Sequence, residues 1–394
     1  MKQISIVSKV EEGAVCLYIR SVAPQVRILR ERIEPAIFVS CDTERLPHNG
    51  VVLYTGTPDT VTSGCYLYRD ETVDCNGLYY YWITELWEDG ETLCHPMLVR
   101  VRDWTIWWPR DHYRRVMQEI AAQFPEKVSI HPCGYTTRGY PMEYLQVGRR
   151  DNVVMYLGAV HAGESGPEIL LSAVQNLLLQ DPALFDRTGV AILPAVNADH
   201  REDQILGCPQ YLRTNPNGVD INRNFPAEWE TVSLAYGLRS DCFMDSVYRG
   251  HSPVSEAETR AVLEMFEQVQ PKLAFSCHWM ASICEDHLLT SSTAEQDAAF
   301  AKRANEIRDI FCRGFDRVLA ETLSPEEREV HYYCCGGSFS TYCYSRGVMA
   351  FDLEGGHRVA FAGADKDLTT REMLQTAIDC HTEAMREILT YLGK

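Results

Sequence analysis

Four continuous apolar runs constrain the fold of this chain more than any other feature of its sequence. They read VVMYLGAV, GVAILPAVN, KLAFSCH and GVMAFDLE, between residues 153 and 354, and segments with helical spacing separate them. A strand that is apolar on both faces is typical of a parallel sheet covered by helices. The pattern therefore predicts an α/β fold with a mixed, largely parallel sheet flanked by helices. In the helix SEAETRAVLEMFEQV, Ser255 and Glu258 occupy capping-box positions.

The first 105 residues show a different pattern. Short β-rich runs such as AVCLYIR, GVVLYTG and GLYYYWITELW alternate with the turn signals HNG, CNG and EDG. This spacing predicts a small antiparallel β domain, a sandwich or a barrel. The spacing becomes helical in WWPRDHYRRVMQEIAAQFPEKV. We therefore expect two domains, an accessory β-rich domain over residues 1–105 and an α/β domain over residues 106–394.

Charge and cysteine content argue against several classes of function. The chain has 37 Lys and Arg against 55 Asp and Glu, a net charge of −18, and such a surface repels phosphate backbones. Its 15 cysteines are odd in number and form no C-x-x-C pair, which argues against a secreted disulfide framework and a zinc ribbon. The N-terminus has no apolar run of signal-peptide length, and no segment reaches about 18 uninterrupted apolar residues. We expect a cytoplasmic protein that binds neither nucleic acid nor membrane.

The first apolar run ends in a pair of potential metal ligands. His161 and Glu164 form an H-x-x-E motif directly after it, and in such sheets ligands bind beyond the carboxyl ends of the strands. A catalytic zinc ion takes about three protein ligands and keeps one position open. His278 ends the run KLAFSCH and is the candidate third ligand. Two alternatives stay open: Glu164 as the cap of the helix that starts near Pro167, and His278 as a structural histidine.

The segment YLRTNPNGVDINRNFP, residues 211–226, carries a second group of polar side chains. The amide of Asn222 and the guanidinium of Arg223 form a suitable fork for a substrate carboxylate. Arg213 is placed to stabilise a developing oxyanion, and Asp220 to accept the distal N–H of a ligating histidine. An ordinary loop salt bridge is the alternative interpretation of this segment.

The last apolar run ends in a carboxylate. Glu354 closes GVMAFDLE, where it could deprotonate a water molecule activated by a metal ion. Tyr332 stands just before the Gly336-Gly337 loop, from which it could move onto a bound substrate.

From about residue 110 to its end, the chain resembles the zinc metallocarboxypeptidases, the carboxypeptidase A-like family. The resemblance rests on the order and spacing of several motifs: the entry helix YRRVMQEIAAQFPEKV, the H-x-x-E pair, GVDINRNFP, YRGHSPVSEAETRAV, the strand ending at His278 and the strand ending at Glu354. It implies a carboxypeptidase-like catalytic domain over residues 106–394. One departure is the loop between the ligands, Ala162-Gly163, which lacks the arginine of digestive members.

The resemblance assigns a role to each polar group at the predicted centre. It implies that His161, Glu164 and His278 bind one Zn²⁺ per chain. Glu354 matches the general base and acid, and Arg213 matches the arginine that polarises the scissile carbonyl.

The resemblance also assigns residues to the substrate. Asn222 and Arg223 match the pair that grips the terminal carboxylate, and Tyr332 matches the mobile tyrosine that closes over it. Asp220 matches the acid that orients the first zinc histidine. Phe339 lies where the family lines its side-chain pocket, and an apolar residue there disfavours a basic terminal residue.

The implied function is that of a zinc-dependent exopeptidase. It would use a metal-activated water to hydrolyse the C-terminal peptide or γ-glutamyl bond of a peptide with a free C-terminal carboxylate, cell-wall peptides included. Two alternatives stay open, a zinc-dependent N-acyl amino acid deacylase and a catalytically dead peptide-binding protein. The N-terminal domain does not resemble the propeptide of secreted zymogens. We expect it to be permanent, and to serve homo-oligomerisation or to narrow the site entrance.

Overall fold

The computed structural model describes residues 4–34, 39–57, 60–61, 65–235, 237–279, 287–319, 329–355 and 370–394. It divides into two compact units. Unit 1 comprises Met1–Trp107 and Glu202–Tyr211, and unit 2 comprises Trp108–Arg201 and Leu212–Lys394. None of the described helices is long and apolar enough to cross a membrane.

Unit 1 contains two antiparallel sheets. Its strands are β1 (Ser5–Glu11), β2 (Ala14–Arg20), β3 (Gln25–Ile33), β4 (Val51–Gly56), β5 (Thr60–Val61), β6 (Cys65–Asp70), β7 (Leu78–Trp87), β8 (Gly90–Leu93) and β9 (Met97–Arg100). One sheet has the order β1-β2-β6-β5, and the other has the order β4-β3-β7-β8 with β9 paired to β7. Residues of both sheets share one core, because alternate positions of β2 and β7 point inward.

Strand β7 is buried on both faces, which explains its run of aromatic residues. Tyr79 and Tyr81 belong to the core shared by the two sheets. Tyr80 and Trp82 point to the other face, where their rings stack with centroids 5.5 Å apart. These aromatic side chains therefore pack within unit 1.

Residues 202–211 are a part of unit 1 that the sequence-based division at residue 105 does not include. The backbone N–H of Val10 donates to Leu206 O at 2.7 Å, and that of Arg100 donates to Gly207 O at 3.0 Å. The buried guanidinium of Arg102 donates to the carbonyls of Gln204 and Cys208. The segment thus completes the hydrogen bonding of β1 and β9.

Unit 2 is built on an eight-stranded mixed sheet of order β10-β11-β13-β12-β16-β19-β17-β18. The strands are β10 (Val128–Tyr135), β11 (Pro141–Gly148), β12 (Val153–Gly158), β13 (Gly189–Leu193), β16 (Leu273–Trp279), β17 (His287–Ser291), β18 (Val330–Cys334) and β19 (Met349–Gly355), and β14 (Leu234–Ala235) and β15 (Leu238–Arg239) form a separate hairpin. The four apolar runs form the central strands β13, β12, β16 and β19, which are parallel to one another. The predicted α/β fold is confirmed.

Helices cover both faces of this sheet. The described helices are α1 (Arg110–Gln123), α2 (Pro167–Gln180), α3 (Ala198–Ile205), α4 (Ala257–Val269), α5 (Ala298–Val318), α6 (Phe339–Ser345) and α7 (Arg371–Leu392), and the second half of α3 belongs to unit 1. On one face, α4 and α6 share a core cluster with Met155 and Leu157 of β12. On the other, Phe275 of β16 packs against Phe311 of α5, with ring centroids 5.7 Å apart. Because both faces are covered, the central strands are continuously apolar.

Candidate active site

His161, Glu164 and the distant His278 form a buried cluster at the carboxyl ends of β12 and β16. Glu164 Oε1 lies 2.8 Å from His161 Nδ1, and Glu164 Oε2 lies 2.6 Å from His278 Nδ1. The two Nδ1 atoms are 3.3 Å apart. Within the described residues, this is the one group of three or more His, Cys, Asp or Glu side chains whose arrangement could hold a metal ion.

The loop after β12 aims His161 and Glu164 at a common point. Ala159 takes a left-handed conformation with φ 44°, and its N–H donates to Ser165 O at 3.2 Å. Gly158 and Gly166 meet at this turn, since a Cβ on either residue would overlap the backbone of Pro194. The loop therefore closes tightly between β12 and α2, and the H-x-x-E spacing places both ligands on its inner side.

Parallel pairing of β16 with β19 brings a second row of polar groups to the cluster. The register aligns His278 with Glu354, and Ser276 with Asp352. Alternate residues of a strand share a face of the sheet, so these four side chains lie side by side. Ser276 Oγ is 3.0 Å from His278 Nε2, and Asp352 Oδ2 is 3.6 Å from the same atom. Glu354 is half-buried beside His278.

Asp220 connects the cluster to the first arginine. Its Oδ1 lies 3.2 Å from His161 Nε2, and its Oδ2 accepts a hydrogen bond from Arg213 Nε at 2.8 Å. Burial alone would raise the pKa of Asp220, but the charges of Arg213 and His161 hold it well below its usual range. Asp220 therefore remains ionised, and it orients both His161 and Arg213.

The charges within the cluster match its use as a ligand set. Burial alone would raise the pKa of Glu164, but His161 and His278 hold it well below its usual range. Burial alone would lower the pKa of His278, but the carboxylates of Glu164, Glu354 and Asp352 raise it to about 10. Ligation requires the neutral imidazole, so the affinity of His278 for a metal ion would depend on pH. Two imidazole nitrogens and one carboxylate, all buried, are a donor set that fits zinc.

Asn222 is held rigidly near these ligands. It lies in a short 3₁₀ turn whose N-cap is Asp220. Its Nδ2 donates to Asp352 Oδ2 at 2.9 Å, and its Oδ1 accepts from the backbone N–H of Phe339 at 2.9 Å. The amide orientation is therefore determined by its neighbours, and one of the two N–H bonds of Nδ2 serves Asp352.

Arg223 follows Asn222 in the same turn. Its Nη1 donates to the carbonyl of Asn222 at 2.7 Å. Its buried Nε has no hydrogen-bond acceptor within the part of the chain that the structure describes. A buried donor without an acceptor is unfavourable, and a substrate carboxylate would supply one.

The last two residues expected to contact the substrate are Phe339, which lies in the core, and Tyr332, which lies on an edge strand. Phe339 was expected to line the side-chain pocket, but the structure buries it completely in the core, with its ring centroid 5.5 Å from that of Phe225. Its ring faces other apolar side chains, so in this structure it offers no surface to a substrate. Tyr332 lies half-buried on β18, the edge strand of the sheet, and burial together with the charges of Glu295 and Asp297 raises its pKa.

Asp352 is a site residue that the sequence interpretation missed. It is buried, and besides Asn222 it accepts hydrogen bonds from Ser340 Oγ at 2.8 Å and Cys334 Sγ at 3.5 Å. The signal was available, because residues two apart on a strand share a face and Asp352 precedes Glu354 by two. Because Glu354 is a catalytic candidate, the spacing also predicts that Asp352, on the same strand, faces the site.

Comparison with known proteins identifies the class. The zinc carboxypeptidase family model matches residues 113–360, so the chain belongs to the zinc carboxypeptidase family. The expected family is therefore confirmed, and with it a zinc-dependent class of peptidases.

Individual relatives within the family are distant. Murein peptide amidase A of Escherichia coli (strain K12) is 31% identical over 192 residues, which are 48% of this chain and 65% of that protein. Carboxypeptidase B of Astacus astacus is 24% identical over 208 residues, 45% of this chain and 64% of that protein. The chain thus spans just under two thirds of these relatives' length.

Solved structures share the fold. A metallo-carboxypeptidase from Burkholderia cenocepacia is 14% identical, with a TM-score of 0.52 over 99% of this chain and 100% of that chain. Bovine thrombin-activatable fibrinolysis inhibitor, solved with tick carboxypeptidase inhibitor, is 17% identical, with a TM-score of 0.58 over 73% of this chain and 98% of that chain. The Burkholderia cenocepacia protein therefore matches the N-terminal sheets as well as the α/β fold.

Proposed function

We propose that this chain is a zinc-dependent exopeptidase that hydrolyses the C-terminal peptide or γ-glutamyl bond of its substrate. One observation carries the proposal: a buried His-Glu-His ligand set lies beside two arginine-bearing groups, Asp220–Arg213 and Asn222–Arg223. The ligand set supports hydrolysis, and the arginines supply a reason for a peptide terminus to bind there. Membership of the zinc carboxypeptidase family supports the same reaction.

The geometry supports a role for each residue in this reaction. A zinc ion held by His161, Glu164 and His278 would polarise the scissile carbonyl and acidify a water molecule. Glu354, aligned with His278 across the sheet, would take a proton from the attacking water and pass it to the leaving nitrogen. Arg213, fixed by Asp220, would place its positive charge against the developing oxyanion.

The clamp makes the proposed enzyme an exopeptidase. Asn222 is held in one orientation by Asp352 and the Phe339 backbone, and among the described residues the buried Nε of Arg223 has no acceptor. The main chain of a peptide offers a free carboxylate only at its C-terminal end, and this pair would bind that carboxylate. Because Arg223 is partly desolvated, its removal is expected to weaken substrate binding by about 2–5 kcal/mol.

Hydrolysis of matched peptides tests the proposal. Peptides that differ only in a free or an amidated C-terminus would be assayed with the zinc-loaded protein and with Glu354→Gln. We expect amino-acid release from the free peptide alone, and a fall in kcat of about 10²–10⁴ in Glu354→Gln, which removes the base but no metal ligand. Arg223→Met is the matched variant that should raise KM instead. Inertness toward every peptide in the zinc-loaded state would refute the peptidase assignment.

The amidase relative favours a particular substrate class. Murein peptide amidase A is 31% identical to this chain, so a cell-wall peptide with a γ-D-glutamyl-diaminopimelate bond is the first substrate to compare with ordinary peptides. A panel that varies only the last residue and its stereochemistry would discriminate between them. N-acyl amino acids belong in the same panel, because faster hydrolysis of these would favour the deacylase alternative. A purified protein that holds no zinc, and in which Glu354→Gln changes nothing measurable, would favour a catalytically dead peptide-binding protein.

A further inference from the structure

Arg201 is a fully buried arginine that the proposed reaction does not use. It lies on α3 and is 1% exposed. Its Nη1 donates to the carbonyl of Glu164 at 2.6 Å and lies 3.5 Å from the carbonyl of Ala162. Both carbonyls belong to the loop that carries the metal ligands His161 and Glu164. The guanidinium therefore contacts the backbone of the ligand loop directly.

A second buried charge holds this guanidinium in place. Arg201 Nη2 donates to Glu168 Oε2 at 2.7 Å, and Glu168 is completely buried in the first turn of α2. One planar fork thus joins the ligand loop to the helix that follows it. Such a fork binds a carboxylate and carbonyls together, whereas the ammonium of lysine is a single point charge.

A buried ion pair contributes little net stability. Desolvation of both charges offsets most of their attraction, and apolar residues of similar volume are often as stabilising. What the pair supplies, and apolar residues cannot, is a directed donor for the carbonyls of Ala162 and Glu164. Its function is therefore expected in the geometry of the loop rather than in overall stability.

We propose that Arg201 is a positioning residue of the metal site. By holding the carbonyl of Glu164, it keeps the Glu164 carboxylate and His161 Nδ1 directed at one point. The loop is otherwise fixed by main-chain contacts, among them the bond from Ala162 N to Leu212 O at 3.1 Å. The inference rests on the proposed function only in taking His161, Glu164 and His278 as zinc ligands.

Zinc affinity measured beside stability tests this role. The Zn²⁺ dissociation constant would be determined by competition with a chelating dye, and the urea unfolding midpoint recorded without metal. The decisive variant is Arg201→Met with Glu168→Met, which removes both buried charges at once. Arg201→Lys keeps a charge next to Glu168, so affinity can be measured even where loss of the charge prevents folding. Arg110→Met is the matched control, since Arg110 also binds α3, through Ala198 O and Asp199.

We expect the double variant to bind Zn²⁺ at least about tenfold more weakly while its unfolding midpoint stays near that of the wild type. The zinc affinity of Arg201→Lys should lie between those of the wild type and the double variant. Arg110→Met should change only the unfolding midpoint. Zinc binding by the double variant within about twofold of the wild type would overturn the inference. So would a loss of zinc affinity in Arg110→Met as large as that in the double variant, because a loss of stability alone would then explain both. A wild type that binds zinc but cleaves no peptide would refute the proposed function and leave the role of Arg201 intact.

Discussion

At the residue scale, two buried carboxylates have similar positions, because each contacts a candidate metal ligand and a second candidate site residue. Asp220 contacts His161 on one side and Arg213 on the other. Asp352 binds Asn222 and lies 3.6 Å from His278 Nε2. Because ligating imidazoles are oriented by the acceptor at their second nitrogen, we expect both carboxylates to affect metal binding and substrate binding together. The geometry of the whole site therefore depends on residues that contact neither the metal nor the substrate.

Asp352→Asn tests the second of these connections. The new amide can accept with only one of its two end atoms, so the buried donor of Asn222 or that of Ser340 loses its acceptor, at about 1–3 kcal/mol. We expect KM for a peptide with a free C-terminus to rise by about tenfold, with a smaller change in kcat. Steady-state kinetics measure both. Ser340→Ala is the control, because it leaves the bond between Asn222 and Asp352 in place, and an unchanged KM in Asp352→Asn would contradict the prediction.

At the element scale, the strands were easier to predict than the ends of the helices. Each of the four apolar runs is a central strand, since a strand covered on both faces has no polar side to show. The capping box predicted for α4 was wrong. The N-cap of α4 is Glu256, without a side-chain cap, and Glu258 instead accepts hydrogen bonds from the N–H and hydroxyl of Thr137. A distant loop used the carboxylate that local spacing assigned to the helix.

The close crossing of α5 and α7 leads to a prediction about packing. Gly314 faces α7, and a Cβ there would overlap the backbone of Ala384. Alanine normally stabilises a helix by about 1 kcal/mol relative to glycine. We expect Gly314→Ala to lower the free energy of unfolding instead, by about 1–3 kcal/mol, because the two helices must separate. Denaturant unfolding measures it, and Asn305→Ala on the exposed side of α5 is the control. A gain in stability from Gly314→Ala would contradict this account of the crossing.

His381, which lies between α5 and α7, is expected to make the free energy of unfolding depend on pH. It is buried on α7 against Phe311 and Phe315, and burial lowers its pKa to about 3. The unfolded chain binds this proton near pH 6.5, so its contribution to stability is complete above that pH and is lost as pH falls toward 3. We expect the free energy of unfolding to fall with acidification by up to about 1.4 kcal/mol per pH unit more in the wild type than in His381→Leu. Urea unfolding between about pH 6.5 and 5 measures the difference, since most carboxylates remain ionised there. The exposed His251→Leu is the control, and parallel slopes in wild type and His381→Leu would exclude this role.

At the scale of the whole molecule, the chain passes between the two units more than once. It leaves unit 2 after Arg201, contributes residues 202–211 to unit 1, and returns at Leu212. The residues that flank this excursion are Arg201, which holds the ligand loop, and the segment that carries Arg213. The sequence alone suggests a single domain boundary. Residues 202–211 have no local pattern that would assign them to strands 100 or more positions earlier in the chain.

Hydrogen exchange tests the anchoring of this excursion. Arg102 is buried in unit 1 and donates to the carbonyls of Gln204 and Cys208. In Arg102→Met these carbonyls lose a charged donor, so we expect faster exchange of the Val10 and Arg100 amides, which bond to Leu206 and Gly207. Protection in β12 should not change and serves as the internal control. Unaltered exchange at Val10 and Arg100 would show that the segment is anchored without Arg102.

The sequence by itself determined the class of fold, the family and the ligand candidates. The periodicity of apolar residues predicts which faces of a helix or strand are buried. The H-x-x-E motif and the later motifs occur in an order along the chain that is specific to the family. The tertiary structure alone decided what lies next to what. It brought His278 to Glu164, buried Phe339 in the core, and brought Arg201 into contact with the ligand loop. Such contacts arise from strand register and helix packing between distant segments, and no local pattern of residues encodes them.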